Sequence, residues 1–353
     1  MRLLSLDILR GITVAGMIIV NNGYGESFMP LCHSKWNGMT PCDLVFPFFL
    51  FIMGISTYLS MSKVHFKPSP TLIWKIIRRT ILLFLIGLLI NWFEVATKGA
   101  GAGIDHLRFW GVLQRIALCY CIVSFIVLAV RHKWIVPLII ALLVIYSVIL
   151  LLGNGYAEDS TNILARTDMA LLGPNHLYTK SPIDPEGLLG TIPSVAHVLI
   201  GFYVGMKIKK ADTTEFSVFK ILIIAATLIL IGYLLSFALP LNKRVWSPSF
   251  VLTSCGMGAA LQAILMHFID VRHCHRWYAF FHVFGVNPLF LYILSEILSI
   301  SLKRIGVSET VFTAINSVVV HQQTASIIYA VYFLLLNFVF GYFLFRKKIF
   351  IKL

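Results

Sequence analysis

Ten apolar runs, each near the roughly 20 residues a helix needs to cross a bilayer, set what this chain can fold into. They cover 6–23, 44–62, 76–93, 110–130, 134–152, 190–207, 218–238, 249–269, 278–298 and 325–345. In hydrocarbon every backbone N–H and C=O must find a partner within the protein, which leaves helices and closed barrels. The runs are too long for barrel strands. The expected fold is therefore all-α: a polytopic membrane helical bundle of about ten transmembrane helices, one domain over 1–353. Composition agrees, with 58% hydrophobic and 12% charged residues, against about 25% charged in soluble proteins.

The net charge of +14 does not point to nucleic acid, because the basic residues punctuate apolar runs instead of gathering on a polar domain. One alternating set of loops, which includes Lys63, Arg78, Arg79, Lys207, Lys209, Lys210, Arg346, Lys347 and Lys348, holds twice the lysines and arginines of the other. By the positive-inside rule both termini are expected in the cytoplasm. The 24–43 and 153–189 loops and the 299–324 segment then lie outside. Asp7 and Arg10 interrupt the first run and no small-residue cleavage site follows, so it reads as a retained span. Of the six cysteines, Cys32 and Cys42 could bridge only if their loop faces an oxidising space. No cysteine or histidine spacing suggests a metal.

The stretch 31–54, LCHSKWNGMTPCDLVFPFFLFIMG, carries the chemistry. His33 and Asp43 stand at the mouth of the second span, and ionisable groups at such depth usually face a water-filled cavity or a partner. A neutral imidazole is a suitable base near pH 7. Asp43 could orient it or pair with a substrate ammonium, Trp36 could stack on a sugar, and Asn37 lies beside them. At the end of the first span, Asn21 and Asn22 offer amides that can hold a carbonyl or a developing oxyanion.

Two arginines enter the apolar runs. Arg10, three residues after Asp7, either forms an intrahelical ion pair or holds an anionic cofactor. Arg115, after Gln114, needs Glu94, Asp105 or a ligand anion. Asp184 and Glu186 either cap the sixth span, with Pro185 in its first turn, or stand on the rim of a substrate cleft. Pro288 breaks the ninth span, and Asn287 can point inward there. Gln262, His267 and Glu296 suit hydrogen bonds between helices. The amphipathic 299–324 segment suits an interfacial helix.

SLDILRG at 5–11, Val20-Asn21, the 33–54 block, GVLQR at 111–115, DPEGLLGTIPS at 184–194 and VWSPSFVLTS at 245–254 together resemble the transmembrane heparan-α-glucosaminide N-acetyltransferase family. The resemblance implies an enzyme that takes acetyl-CoA from the cytosol and acetylates the amine of a terminal glucosamine on the other side of the membrane. It implies His33 as the active-site histidine, Asn21 or Asn22 as its asparagine, and Asp43 as its acid. Expected cofactor contacts are Arg10, Arg115, Asn22 and Gln114. Expected acceptor contacts are Trp36, Asn37, Asp184, Glu186 and Asn287. The expected partners are acetyl-CoA, an amino-sugar or glycosaminoglycan-derived saccharide and the lipid bilayer, with a homodimer as a candidate assembly and no metal. A bacterial inner membrane with the site toward the periplasm fits this picture. Direct transfer and a route through acetyl-His33 both remain open, and so do two rival functions: a membrane O-acyltransferase acting on a glycan hydroxyl, and an amino-sugar transporter.

Overall fold

The computed structural model describes residues 3–97, 104–178, 181–274 and 278–351. Of the basic residues that set the expected orientation, Arg2, Lys98, Lys180, Arg276 and Lys352 lie outside these. The described residues form thirteen α-helices and no strands. They are α1 (Leu4–Asn21), α2 (Val45–Met61), α3 (Pro70–Thr97), α4 (Val112–Ala129), α5 (Ile135–Leu152), α6 (Ile163–Leu172), α7 (Thr191–Lys209), α8 (Thr214–Leu235) and α9 (Pro248–Leu265), followed by α10 (Ala279–Val286), α11 (Pro288–Arg304), α12 (Val307–Val318) and α13 (Gln322–Arg346). Nine helical segments among the described residues are long and apolar enough to cross a membrane, or ten if α10 and α11 count as one span.

That pair is where the tenfold pattern bends. The run at 278–298 is not one rod: α10 and α11 meet at 86° across Asn287. Proline has no N–H to donate and its ring displaces the carbonyl four residues back, so the helix stops and restarts. The amphipathic 299–324 segment resolves into the last turn of α11 and the separate α12. Phe312 of α12 packs with Ala325 and Tyr329 of α13, so this helix lies against the bundle.

Glycines let the central helices approach closely. A methyl group on Gly11 of α1 would strike the backbone carbonyl of Phe281, and one on Gly285 of α10 would strike that of Asp7. Gly54 of α2 and Gly201 of α7 stand in the same relation, each facing the other helix's backbone. Gln262 donates to Ser5 across α9 and α1 at 2.9 Å, an interhelical bond of the expected kind.

These contacts give the bundle two ends. At one, Arg10 of α1 meets Ser56 of α2 at 2.9 Å and Lys209 of α7 reaches Ser62 at 2.8 Å. Asn287 grips the chain's C-terminal segment there, donating to the Ile349 carbonyl at 2.9 Å and accepting from the Ile351 N–H at 2.9 Å. At the other end, the 22–44 segment meets the 153–178 segment through Trp36 and Tyr156, and the α8–α9 loop reaches His33 through Lys243.

Candidate active site

Local sequence builds the histidine's support. Pro41 starts a 3-10 turn, Pro41–Leu44, that feeds α2, and Thr40 and Asp43 form a reciprocal cap across it. Asp43 is fully buried. Its Oδ2 accepts from the backbone N–H groups of Thr40 and Ser34, both at 3.1 Å, and lies 3.0 Å from the Thr40 hydroxyl. That leaves Oδ1 for His33, whose Nδ1 lies 2.7 Å away. A neutral ring that gives its Nδ1 proton to this carboxylate presents the Nε2 lone pair. The His33 side chain is 56% exposed while that of Asp43 is 1% exposed: the acid is held inside and the ring is presented.

A residue 210 positions away completes the cluster. Lys243, in the α8–α9 loop, places Nζ 3.1 Å from His33 Nδ1 and 3.4 Å from Asp43 Oδ1. Sequence reasoning missed it because the lysine is distant in the chain; its one signal was its place two residues before the VWSPSFVLTS motif at 245–254. Cys42 lies 3.2 Å from His33 Nδ1. Cys32 and Cys42 are both free thiols.

The cluster opens into a cavity of about 810 Å³. Its walls include Asn21, His33, Cys42, Glu186 and Lys243 at one end. The middle is apolar, with Met17, Phe46, Phe49, Ile52, Leu113 and Tyr292. At the other end stand Arg10, Ser56, Ser60, Arg79, Phe350 and Ile351. Asn21 and Asp7 are fourteen residues apart on α1 and both line it, so the cavity follows that helix for about 21 Å.

The other expected site residues divide clearly. Asn21 lines the cavity and sits 3.4 Å from Glu296 Oε1 through its amide nitrogen. Asn22 is buried and donates to the Ile18 carbonyl of its own helix at 2.9 Å, away from the cavity. Arg10 lines the cavity while pairing with Asp7 at 3.1 Å. Arg115 does not line it: the guanidinium is 2% exposed, donates to the Gly187 carbonyl at 2.6 Å and lies 5.4 Å from the Trp246 ring centre. Neither Glu94 nor Asp105 is its partner; the carboxylate that its charge acts on is Asp168 of α6. Gln114 is buried against Gly87 and Gly111, between α3 and α4, and does not line the cavity.

Asp184 and Glu186 do not cap α7, which begins at Thr191. Arg108 takes both, donating to Asp184 at 2.6 and 3.1 Å and to Glu186 at 2.7 Å. Burial opposes the Arg108 charge, but Glu186 and Asp184 overcome it and hold the guanidinium above its ordinary range. Asp184 is buried under this pair and only Glu186 reaches the cavity wall. Trp36 donates through its indole N–H to the Tyr156 carbonyl at 3.0 Å, and Asn37 accepts from Asn242 at 3.2 Å; both hold loops together beside the site. Asn287 is engaged by the C-terminal backbone, as described above, and is not among the residues lining the cavity.

Comparison with known proteins meets this geometry. The family model described as heparan-α-glucosaminide N-acetyltransferase, catalytic, matches residues 2–237. The mouse heparan-α-glucosaminide N-acetyltransferase is 29% identical over 357 residues, covering 84% of this chain and 54% of the relative. The human protein of that name is 30% identical over 359 residues, covering 84% and 53%. The chain thus spans about half the length of the curated relatives it matches. The matched region holds His33, Asp43 and the whole of α1 to α8, and the chain belongs to the heparan-α-glucosaminide N-acetyltransferase catalytic family.

Proposed function

We propose that this protein is a transmembrane acetyltransferase that moves the acetyl group of acetyl-CoA, received at the Arg10 end of the bundle, to the amine of a terminal glucosamine or similar amino sugar at the His33 end. One observation carries the reading: a cavity with Arg10 and Arg79 at one end, an apolar neck, and a carboxylate-held imidazole at the other. An elongated donor with an anionic head fits those walls. Arg10 and Arg79 suit its phosphates, the neck suits its pantetheine arm, and the loops richer in lysine and arginine lie at this end, as expected of a cytoplasmic face. The His33 end then faces the opposite compartment, which in a bacterial inner membrane is the periplasm.

The chemistry follows from the groups present. The acceptor nitrogen attacks the thioester carbon, Nε2 of His33 takes the nitrogen's proton, and the carbon–sulfur bond breaks, the departing thiolate taking that proton to leave as the CoA thiol. Asn21 supplies an amide donor to the tetrahedral oxyanion. Glu186, on the same wall, offers a carboxylate to a cationic acceptor. If the ring itself carries the acetyl group, His33 becomes acetylated before the acceptor arrives; acetyl-enzyme isolated without acceptor separates the two routes.

The deciding experiment uses the purified full chain, radiolabelled acetyl-CoA, and glucosamine against N-acetylglucosamine. Label on the first alone supports N-acetylation; label on the second points to a hydroxyl acceptor. His33→Ala is expected to lower transfer on the order of 10²- to 10⁴-fold, and a variant within a fewfold of wild type would sink the assignment.

A further inference from the structure

The buried Asp43 carboxylate has more cationic company than a simple acid–imidazole pair requires. Its Oδ2 accepts from the backbone N–H groups of Ser34 and Thr40. Its Oδ1 meets both the His33 ring at 2.7 Å and the Lys243 ammonium at 3.4 Å. A buried carboxylate needs a balancing cation close by. With only an imidazole beside it, the ring would supply that charge by taking a second proton and would lose the Nε2 lone pair on which base or nucleophile chemistry depends. A lysine supplies the charge without using the ring.

We propose that Lys243 is a positioning residue of this site: its ammonium balances Asp43, so that His33 is oriented by the carboxylate while its ring stays unprotonated. Nδ1 cannot both donate to Asp43 and accept from Lys243. The shorter separation, 2.7 against 3.1 Å, gives its proton to Asp43. Lys243 therefore acts on the ring through charge, opposing a second positive charge beside it. The titratable groups facing the ring are Asp43 and Cys42 of its own segment and Lys243 of the α8–α9 loop, with Glu186 on the same cavity wall.

The loop that carries Lys243 is fixed to the histidine's segment. Gly38 N–H donates to the Leu241 carbonyl at 2.7 Å and Asn242 donates to Asn37 at 3.2 Å. Asn242 also accepts from Val245 N–H at 3.1 Å and its own N–H donates to the Ser247 hydroxyl at 3.0 Å. Trp246 holds a left-handed φ of 53°, a conformation bulky residues adopt only where surrounding contacts enforce it. The Lys243 side chain is 15% exposed, so its charge is delivered to one place.

The proposal depends on the acyl-transfer reading only for the use made of the ring; its test does not. Diethyl pyrocarbonate modifies unprotonated imidazole, and peptide mass spectrometry reads the labelling of His33 in the full chain from pH 5.5 to 9. Lys243→Met is expected to move the labelling midpoint up by about one pH unit, roughly tenfold less labelling on the acid side. Lys243→Arg, which keeps the charge, should follow wild type. Lys243→Gln reads the same charge loss with a polar side chain if the methionine variant does not fold. A Lys243→Met profile that superimposes on wild type overturns the proposal, and so does a loss by the same factor at every pH. Absence of acetyl transfer by the wild-type protein would defeat the acyl-transfer reading while leaving the labelling result standing.

Discussion

Arg10 and Arg115 begin alike, as single guanidinium groups inside apolar helices, and the fold puts them to opposite uses. Arg10 stands on the cavity wall with Asp7 and Ser56. Arg115 is sealed between α4, the Gly187 carbonyl and the Trp246 ring, and its Nε and Nη1 find no hydrogen-bond partner among the described residues. A charge in hydrocarbon must face water, a ligand or a buried partner. Arg10 has open cavity as well as its Asp7 partner, and Arg115 has buried partners alone. The difference teaches that an intramembrane cation marks a site only when the neighbouring helices leave space in front of it.

Four variants would break or sharpen that contrast. Arg115→Leu should have the largest effect, about 3 kcal/mol of stability, because it leaves the Gly187 carbonyl and the Asp168 carboxylate without their cation. Thermal unfolding in detergent measures it, and an unchanged melting temperature would place Arg115 with Arg10. Arg10→Gln should raise the KM for the acyl donor about tenfold, some 1.4 kcal/mol, with little change in melting temperature. A large stability loss with an unchanged donor KM would reverse the contrast. Asn287→Ala removes two hydrogen bonds of about 1 kcal/mol each from the segment flooring the Arg10 end. It should raise donor KM severalfold and speed proteolysis after α13, leaving the Arg115 end untouched.

Asp168→Asn is the smallest and reads the surroundings of Arg115 through pH. Burial pushes the Asp168 carboxyl up to about 6, with the Asp184 charge adding to it and the Leu188 N–H and Arg115 opposing. A carboxyl raised in the folded state gives stability that is complete below its ordinary value of 3.8 and is lost as pH rises through about 6. Wild type should therefore gain melting temperature relative to Asp168→Asn as pH falls from 7.5 to 5. Parallel curves for the two proteins would show that the carboxyl is not displaced.

Much of the site was legible because it is local. His33, Thr40 and Asp43 lie within eleven residues, and a proline-started turn leaves the acid few places to go. The break at Asn287-Pro288 was legible for the same reason, since proline acts on its own helix. Arg108 was not, nor Lys243: the first meets its carboxylates across 76 and 78 residues of chain and the second meets His33 across 210. Asn287 was placed on substrate from its helix break alone, and the distant C-terminal segment that occupies it cannot be read from that break.

The amino-acid sequence by itself determined that the chain is a bundle of membrane-length helices, because long apolar runs in hydrocarbon have no other way to pair their backbones. It also determined the family and the imidazole–carboxylate pair, which ten residues of chain suffice to build. Only the tertiary structure decided which of two intramembrane arginines faces a cavity, which carboxylates pair with Arg108, and that a lysine joins the histidine. Those outcomes depend on which helix ends meet, and helix ends are brought together by packing across the whole bundle, not by any window of sequence.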